Sequence, residues 1–346
     1  MDYKNTLMYR EISEQPAALK SAAAANAATL KELAKAIKIF APVGAYLAAR
    51  GTSDHACVYF KYLSETVWGL PAASAAPSAI TLYGGKLDLT KQLVIAVSQS
   101  GKAADALEVI RRGKACGALT VSVTNDKTSP LAREADYHLF CAAGEEKSVA
   151  ATKTFTTELL LLGLIVASVT GDRELSAELA AAGDVCAAAL KTESAVTAAA
   201  EYLKSAGDCY VLGRGFVYST VLETSLKLQE TCYMRLKSYS TSDFVHGPFA
   251  ALDSGARVLL IAPDDESKPD SAAMLKRLSA VGVDTVLLTD AKDLTAKTVL
   301  PLPECGRYNA VFGAAPVIQL LACSLSCLKG IGPDAPRGLN KVTVTK

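Results

Sequence analysis

Two hydroxyl-rich turns give the first chemical signal in this sequence. Ser98-Gln99-Ser100-Gly101 follows an apolar run over 92–97 and precedes a segment in which Ala103, Leu107 and Ile110 share one helical face. A strand that feeds a helix in this way aims free backbone N–H groups and the positive end of the helix dipole at the turn, so the turn can hold an anion such as a phosphate. The same serines also suit ordinary capping of the following helix, and both readings stand at this stage. Thr52-Ser53 follows Gly51 at a second junction of the same kind, and two such turns on one sheet edge strengthen the phosphate reading. A third group is acid–base in character. Glu223, Lys227 and Glu230 recur at spacings of 4 and 3 and so share a helix face, which by itself is equally a solvated face with paired charges. His246 lies in the turn Asp243-Phe244-Val245-His246-Gly247-Pro248 and not on an apolar helix face, and is equally a plain turn histidine. His138 sits in a strand-like run and reads as structural, His55 is ambiguous, and Lys341 taken alone reads as a solvated tail lysine.

Several chemistries are excluded by what is missing. There is no G-x-x-x-x-G-K-[ST] loop for a nucleoside triphosphate, and Gly213-Arg214-Gly215 lacks the third glycine of a dinucleotide fingerprint. Nine cysteines are scattered without a C-x-x-C pair; Cys323 and Cys327 sit one helical turn apart in an apolar segment and read as buried structural thiols. Three histidines supply no ligand cluster, so no metal is expected.

The elements that must position these groups repeat. Short apolar runs over 44–49, 92–97, 119–124 and 137–141 alternate with helical segments and close on a long apolar helix over 149–169, the pattern of βαβ units on a parallel sheet. After an Ala-rich helical stretch over 176–206 the scheme begins again, with strands at 208–212, 256–262, 285–289 and 299–302 and a closing helix over 308–328. The strand-to-glycine turns at Gly51 and Gly215 therefore read as an internal duplication. The expected organisation is a helical N-terminal arm over 1–30, one domain over 31–172, a second over 195–330, and a tail over 331–346 that carries Lys341. At 346 residues, with 50% hydrophobic and 21% charged side chains, the chain has core enough for two α/β domains. A formal net charge of +1 supplies no broad field for nucleic acid or an anionic membrane, so any anionic ligand needs a local site. The start of the chain lacks the layout of a secretory signal, and the longest apolar run, 159–169, is about half of what a membrane span needs. A cytoplasmic location is expected.

These motifs together resemble a known family. Ser98-Gln99-Ser100-Gly101, Ser148-Val149-Ala150-Ala151-Thr152-Lys153, the stretch from Leu222 to Glu230, His246-Gly247-Pro248, and the tail from Pro336-Arg337 to Lys341 and Val344 look like the paired sugar isomerase (SIS) modules of glucosamine-6-phosphate synthase. The opening Met8-Tyr9-Arg10-Glu11-Ile12-Ser13-Glu14-Gln15-Pro16 is similar as well. The resemblance runs from about Leu7 to the end and implies two tandem three-layer αβα domains with parallel, flavodoxin-like sheets. The synthase carries a glutaminase domain upstream, for which this sequence shows no counterpart. That, with Arg50-Gly51-Thr52-Ser53-Asp54-His55 and the Ser-Val-Ala-Ala-Thr-Lys motif, makes the SIS-type glucosamine-6-phosphate deaminases the nearest group in the resemblance.

The resemblance implies that Thr52, Ser53, Ser98, Gln99 and Ser100 bind the phosphate and that Val149 lines the sugar. It further implies that Glu230 moves a proton between C1 and C2, His246 assists ring opening, and Lys341 approaches C2, where its amine can form an imine. The same family likeness implies a homodimer with His246 contributed by the other subunit, and no cofactor. The synthase-type turn has Thr where Ala103 stands, and Ser where Ala151 stands, so one phosphate hydroxyl and one sugar contact are missing. The implied reaction converts glucosamine 6-phosphate and water to fructose 6-phosphate and ammonia. The alternatives are a deglycase acting on a fructosamine 6-phosphate, and a non-catalytic sugar-phosphate regulator, which would not need Glu230, His246 and Lys341 together.

Overall fold

The computed structural model describes residues 2–207, 209–253 and 255–341. The segment Leu93-Val94-Ile95-Ala96-Val97 is apolar at consecutive positions and wholly buried, as a strand covered by helices on both faces must be. It belongs to a sheet formed by β1 (Gly44–Ala48), β2 (Ala72–Ser74), β3 (Gln92–Val97), β4 (Leu119–Thr124) and β5 (Tyr137–Phe140). A second sheet contains β6 (Cys209–Gly213), β7 (Leu236–Ser240), β8 (Arg257–Ile261), β9 (Asp284–Thr289) and β10 (Thr298–Pro301). Their orders are β2-β1-β3-β4-β5 and β10-β9-β8-β6-β7, parallel throughout. Counted within its own half, each sheet runs 2-1-3-4-5, the flavodoxin-like order. The repeat legible in the sequence is therefore a repeat of topology. Sequence patterning missed β2 and β7. Both lie at a sheet edge, β2 is only three residues long, and β7 reads Leu-Lys-Ser-Tyr-Ser, too polar to stand out.

The chain divides into two compact units, each built on one sheet. The N-terminal-sheet unit comprises Ala17–Glu146, Lys153–Ala180 and Asn340–Lys346. Its helices Thr52–Leu63 and Lys153–Thr170 pack together, while Ala106, Val109 and Ile110 of the helix Ala104–Ala115 cover Val94 and Ala96. The C-terminal-sheet unit comprises Met1–Pro16, Lys147–Thr152 and Ala181–Leu339. Here the helix Ala310–Leu328 packs on the helices Tyr218–Cys232 and Glu193–Leu203, and Met274 and Leu278 of the helix Lys268–Ala280 cover Val258 and Leu260. Lys153–Thr170 and Ala310–Leu328 are long and apolar enough to cross a membrane, but 83% and 94% of the respective windows are buried inside the fold, as in core helices. The nine cysteines are all free. Burial pushes the Cys186 and Cys209 thiols up to about 12, so they are unreactive packing groups.

The helix expected over 149–169 begins only at Lys153, and backbone donors engaged elsewhere explain the difference. Within the C-terminal-sheet unit, the Glu11 carboxylate on the helix Leu7–Ser13 accepts the backbone N–H groups of Lys147 and Ser148. The Asp334 carbonyl accepts the Val149 N–H at 3.2 Å. With its N–H groups directed to partners remote in sequence, this stretch stays irregular. The Asp334 carboxylate also accepts the N–H groups of Leu7 and Met8, both at 2.9 Å, at the start of the Leu7–Ser13 helix, where a negative charge meets free donors and the helix dipole. Replacing it by Ala strands two donors; Asp334→Ala should lower stability by about 1–2 kcal/mol, read as a shift in the urea midpoint at unchanged slope.

Candidate functional site

In a 2-1-3-4-5 sheet the strand order reverses between the first and third strands, and the turns leaving them flank a crevice. In the N-terminal-sheet unit these turns are Arg50-Gly51-Thr52-Ser53 and Ser98-Gln99-Ser100-Gly101. Both hydroxyl-rich turns singled out in the sequence thus flank one switch point. Ser98 does not cap the following helix: the cap position of Ala104–Ala115 is Ala103, with no side-chain bond to the helix amides. Instead the Ser98 hydroxyl accepts the Gly101 N–H at 3.2 Å and the Ser100 hydroxyl accepts the Lys102 N–H at 3.3 Å, bracing the turn from within. The ordinary-cap alternative is therefore set aside. Gly101 is at φ +62°, and a Cβ there would lie 2.1 Å from the Ser129 hydroxyl, so no other residue fits. Arg50 donates to the buried Asp105 at 2.6 Å, joining the first turn to the first turn of the helix after the second.

The two residues of the other turn differ. Thr52 begins the helix Thr52–Leu63 and is half-buried, whereas Ser53 is buried and its hydroxyl donates to Glu158 at 3.0 Å. His138 lies on β5, with Nε2 2.9 Å from the Thr124 hydroxyl; burial pushes the imidazole below its ordinary range, as suits a structural histidine.

Lys341 belongs to this unit and is not a free tail lysine. Its Nζ lies 2.7 Å from Glu146 Oε2, and the Glu146 side chain is fully buried. Glu146 also accepts the Thr154 N–H at 3.1 Å and the Thr154 hydroxyl at 2.8 Å, capping the helix Lys153–Thr170. Asn125, just past β4, connects this group to the serine turn. Its N–H donates to the Gln99 carbonyl at 2.9 Å, while its side chain accepts the Ala143 N–H and donates to the Gly144 carbonyl. Gln99 and Lys341 are thereby held along the carboxyl ends of β3, β4 and β5. Sequence reasoning missed Glu146, Glu158 and Asn125, because nothing in their spacing shows that Glu146 and Glu158 are buried or that Asn125 joins two loops.

In the C-terminal-sheet unit, Glu223, Lys227 and Glu230 do share a face of Tyr218–Cys232, but the face is interior. Glu223 and Lys227 are 0% and 1% exposed, Glu230 is 22% exposed, and Lys227 Nζ lies 3.3 Å from Glu223 and 2.5 Å from Glu230. Burial works against the Lys227 charge, but the two carboxylates outweigh it and hold the ammonium above its ordinary 10.5. His246 is exposed, and among the described residues no hydrogen bond or ion pair joins it to Glu230 or Lys227. Val149 is half-buried in the irregular stretch beside Ser148, whose buried hydroxyl has no hydrogen-bond partner among the described residues. The switch-point turns of this second sheet carry different chemistry. Past β6 comes Arg214, paired with Asp270, and past β8 come Asp264, Asp265 and Glu266, where burial pushes the Asp265 carboxyl up. Among the described residues no group of three or more His, Cys, Asp or Glu is arranged to hold a metal ion.

Comparisons with known proteins follow this division. The SIS domain model matches residues 41–168 and 202–298. The glutamine–fructose-6-phosphate aminotransferase (isomerizing) of Thermococcus kodakarensis is 33% identical over 350 residues, covering 97% of this chain. The chain spans 58% of that relative's length. Among solved structures, a candidate phosphosugar isomerase from Silicibacter pomeroyi DSS-3 superposes with a TM-score of 0.85 at 32% identity, covering 95% of this chain and all of its own. The C-terminal domain of glucosamine-fructose-6-phosphate aminotransferase from Francisella tularensis does so with a TM-score of 0.87 at 27% identity, covering 96% of this chain and 98% of its own.

The buried Glu223–Lys227–Glu230 group has a measurable signature. Removing the central cation leaves two carboxylates without it, so Lys227→Met should lose about 3–5 kcal/mol in urea unfolding at neutral pH. Since the folded-state pKa of Lys227 is raised, this contribution is fully present below the ordinary lysine range. The gap between wild type and variant should stay constant from pH 6 to about 9 and close only as the pH rises through and beyond that range.

Proposed function

This chain belongs to the SIS domain family, and we propose that it is a cytoplasmic isomerising deaminase that converts glucosamine 6-phosphate and water to fructose 6-phosphate and ammonia. The observation that carries the reading is the pairing, in one unit, of a serine turn with no capping duty at a switch point and a lysine held on the same edge of the sheet. The names of the relatives, which concern fructose 6-phosphate and phosphosugars, support the substrate class.

The phosphate is held by the Ser98-Gln99-Ser100 turn and Thr52, where neutral hydroxyls and free helix amides meet the dianion. Ser53 contributes less through its hydroxyl, whose proton is engaged by Glu158. His246 passes a proton during ring opening. The Glu230 carboxylate takes the proton from C2 and returns it to C1, which turns the C2 amine into an imine. Water then adds at C2 and ammonia leaves, directly or after exchange onto the Lys341 amine; either route consumes one water and releases one ammonia. Lys227, whose Nζ lies 2.5 Å from Glu230, orients that carboxylate.

The exposure of His246, with no bond to Glu230, suits a homodimer in which a second copy supplies the imidazole. A second reading is favoured by the names of the relatives: the same groups run in reverse, joining fructose 6-phosphate and ammonia.

Wild-type protein should release ammonia and fructose 6-phosphate in equal amounts from glucosamine 6-phosphate, and Glu230→Gln should lower kcat by at least about 100-fold, the lower range of a general base's contribution. Release from a fructosamine 6-phosphate alone would move the assignment to a deglycase, and accumulation of glucosamine 6-phosphate from fructose 6-phosphate and ammonia alone would favour the synthetic direction. Mixing inactive Glu230→Gln and His246→Asn chains under subunit exchange should restore about a quarter of wild-type activity if the histidine acts in trans, because half of the dimers are mixed and each mixed dimer holds one intact pair. Restoration of none would assign His246 to its own chain.

A further inference from the structure

Lys341 is carried by the last described residues of the chain, where a long, mobile side chain on an irregular segment would ordinarily be solvated. Instead its ammonium lies 2.7 Å from a carboxylate with no exposed surface, while 22% of its own side chain still faces solvent. That carboxylate is itself fixed. Glu146 Oε1 accepts the Thr154 N–H and Oε2 accepts the Thr154 hydroxyl, so both oxygens are tied to the first turn of a buried helix, where the dipole also favours the negative charge. Through Gly144 and Ala143 the same loop is bonded to Asn125, and through the Asn125 N–H to Gln99 of the serine turn.

We infer that Glu146 is the positioning residue for Lys341: its buried, helix-capping carboxylate receives the tail of the chain and holds the amine on the sheet edge that carries the phosphate turn. The inference rests on the functional reading above for its consequence in catalysis, but not for the pairing itself. An unpaired tail lysine loses rotamer freedom whenever it is to react; a charge-assisted bond to a fixed partner holds it before substrate arrives. Glu146 touches no reacting atom in this account. Its work is geometric, and its loss should appear in the reactivity of Lys341 and in kcat, with phosphate binding at the Ser98 turn intact.

The test uses Glu146→Gln and Glu146→Asp in the full chain. The glutamine side-chain oxygen can still accept the Thr154 N–H, so the helix cap survives while the charge facing Lys341 is lost; the aspartate keeps the charge one methylene shorter. Acetylation of Lys341 by acetic anhydride, followed by peptide mass spectrometry, should be about tenfold or more faster in Glu146→Gln than in wild type, with partial slowing restored in Glu146→Asp. With glucosamine 6-phosphate as substrate, Glu146→Gln should lower kcat about tenfold or more while KM changes by less than about threefold, and Glu146→Asp should recover part of the loss. Unchanged Lys341 acetylation in Glu146→Gln overturns the inference, even if kcat falls, because the carboxylate would then not be what holds the amine. A kcat unchanged in Glu146→Gln, in a preparation where Lys341→Ala abolishes turnover, overturns it as well. Absence of turnover by the wild type on any sugar phosphate would sink the functional reading alone, leaving the acetylation rates to decide the pairing.

Discussion

A parallel sheet whose strand order reverses forces two strand-to-helix turns to diverge side by side, and the site proposed for this protein depends on that constraint. In the N-terminal-sheet unit it brings Gly51-Thr52-Ser53 and Ser98-Gln99-Ser100-Gly101 to the same edge although more than forty residues of chain separate them. Tight geometry then makes the second turn usable. Gly101 fits against Ser129 only because it lacks a Cβ, and the two serine hydroxyls brace the turn and leave the helix after Ala103 without a side-chain cap. A helix start left uncapped beside polar hydroxyls is a ready anion-binding geometry.

The duplicated half shows that topology and chemistry are separable. Its sheet repeats the strand order, yet the corresponding turns carry Arg214 after β6 and Asp264, Asp265 and Glu266 after β8, with Asp265 buried enough to push its carboxyl up. What distinguishes this half is a buried charge group. Lys227 lies between Glu223 and Glu230 in a helix interior, where an ammonium is tolerated because two carboxylates more than offset its desolvation.

Acidic residues that accept backbone N–H groups hold the parts that regular secondary structure does not. Glu11 and Asp334 take the N–H groups of residues 147–149 and of the first helix, and Glu146 caps Lys153–Thr170 while pairing with Lys341. Each acid satisfies backbone donors that would otherwise be stranded away from water. This gives the segment around Val149 and the end of the chain defined positions without a strand or helix of their own.

Much of this was legible in the residues alone. The apolar runs fixed by local pattern became strands, the repeat became two sheets of one order, and the SIS resemblance carried by the Ser98, Ser148, Leu222–Glu230 and tail motifs agrees with the family match. What failed in the sequence was everything that depends on burial or on a distant partner. Glu223, Lys227 and Glu230 are spaced as a solvated face would be, and only packing makes that face interior. Ser53 and Ser98 look alike in sequence, yet one hydroxyl turns inward to Glu158 and the other braces its own turn. The late start at Lys153, the polar edge strand β7, and the Glu146–Lys341 pair, whose members lie almost two hundred residues apart, leave no local periodicity to detect. Pattern determines which elements form, because it acts between near neighbours; the tertiary structure alone decides which polar side chains lose water, and so which charges must find one another.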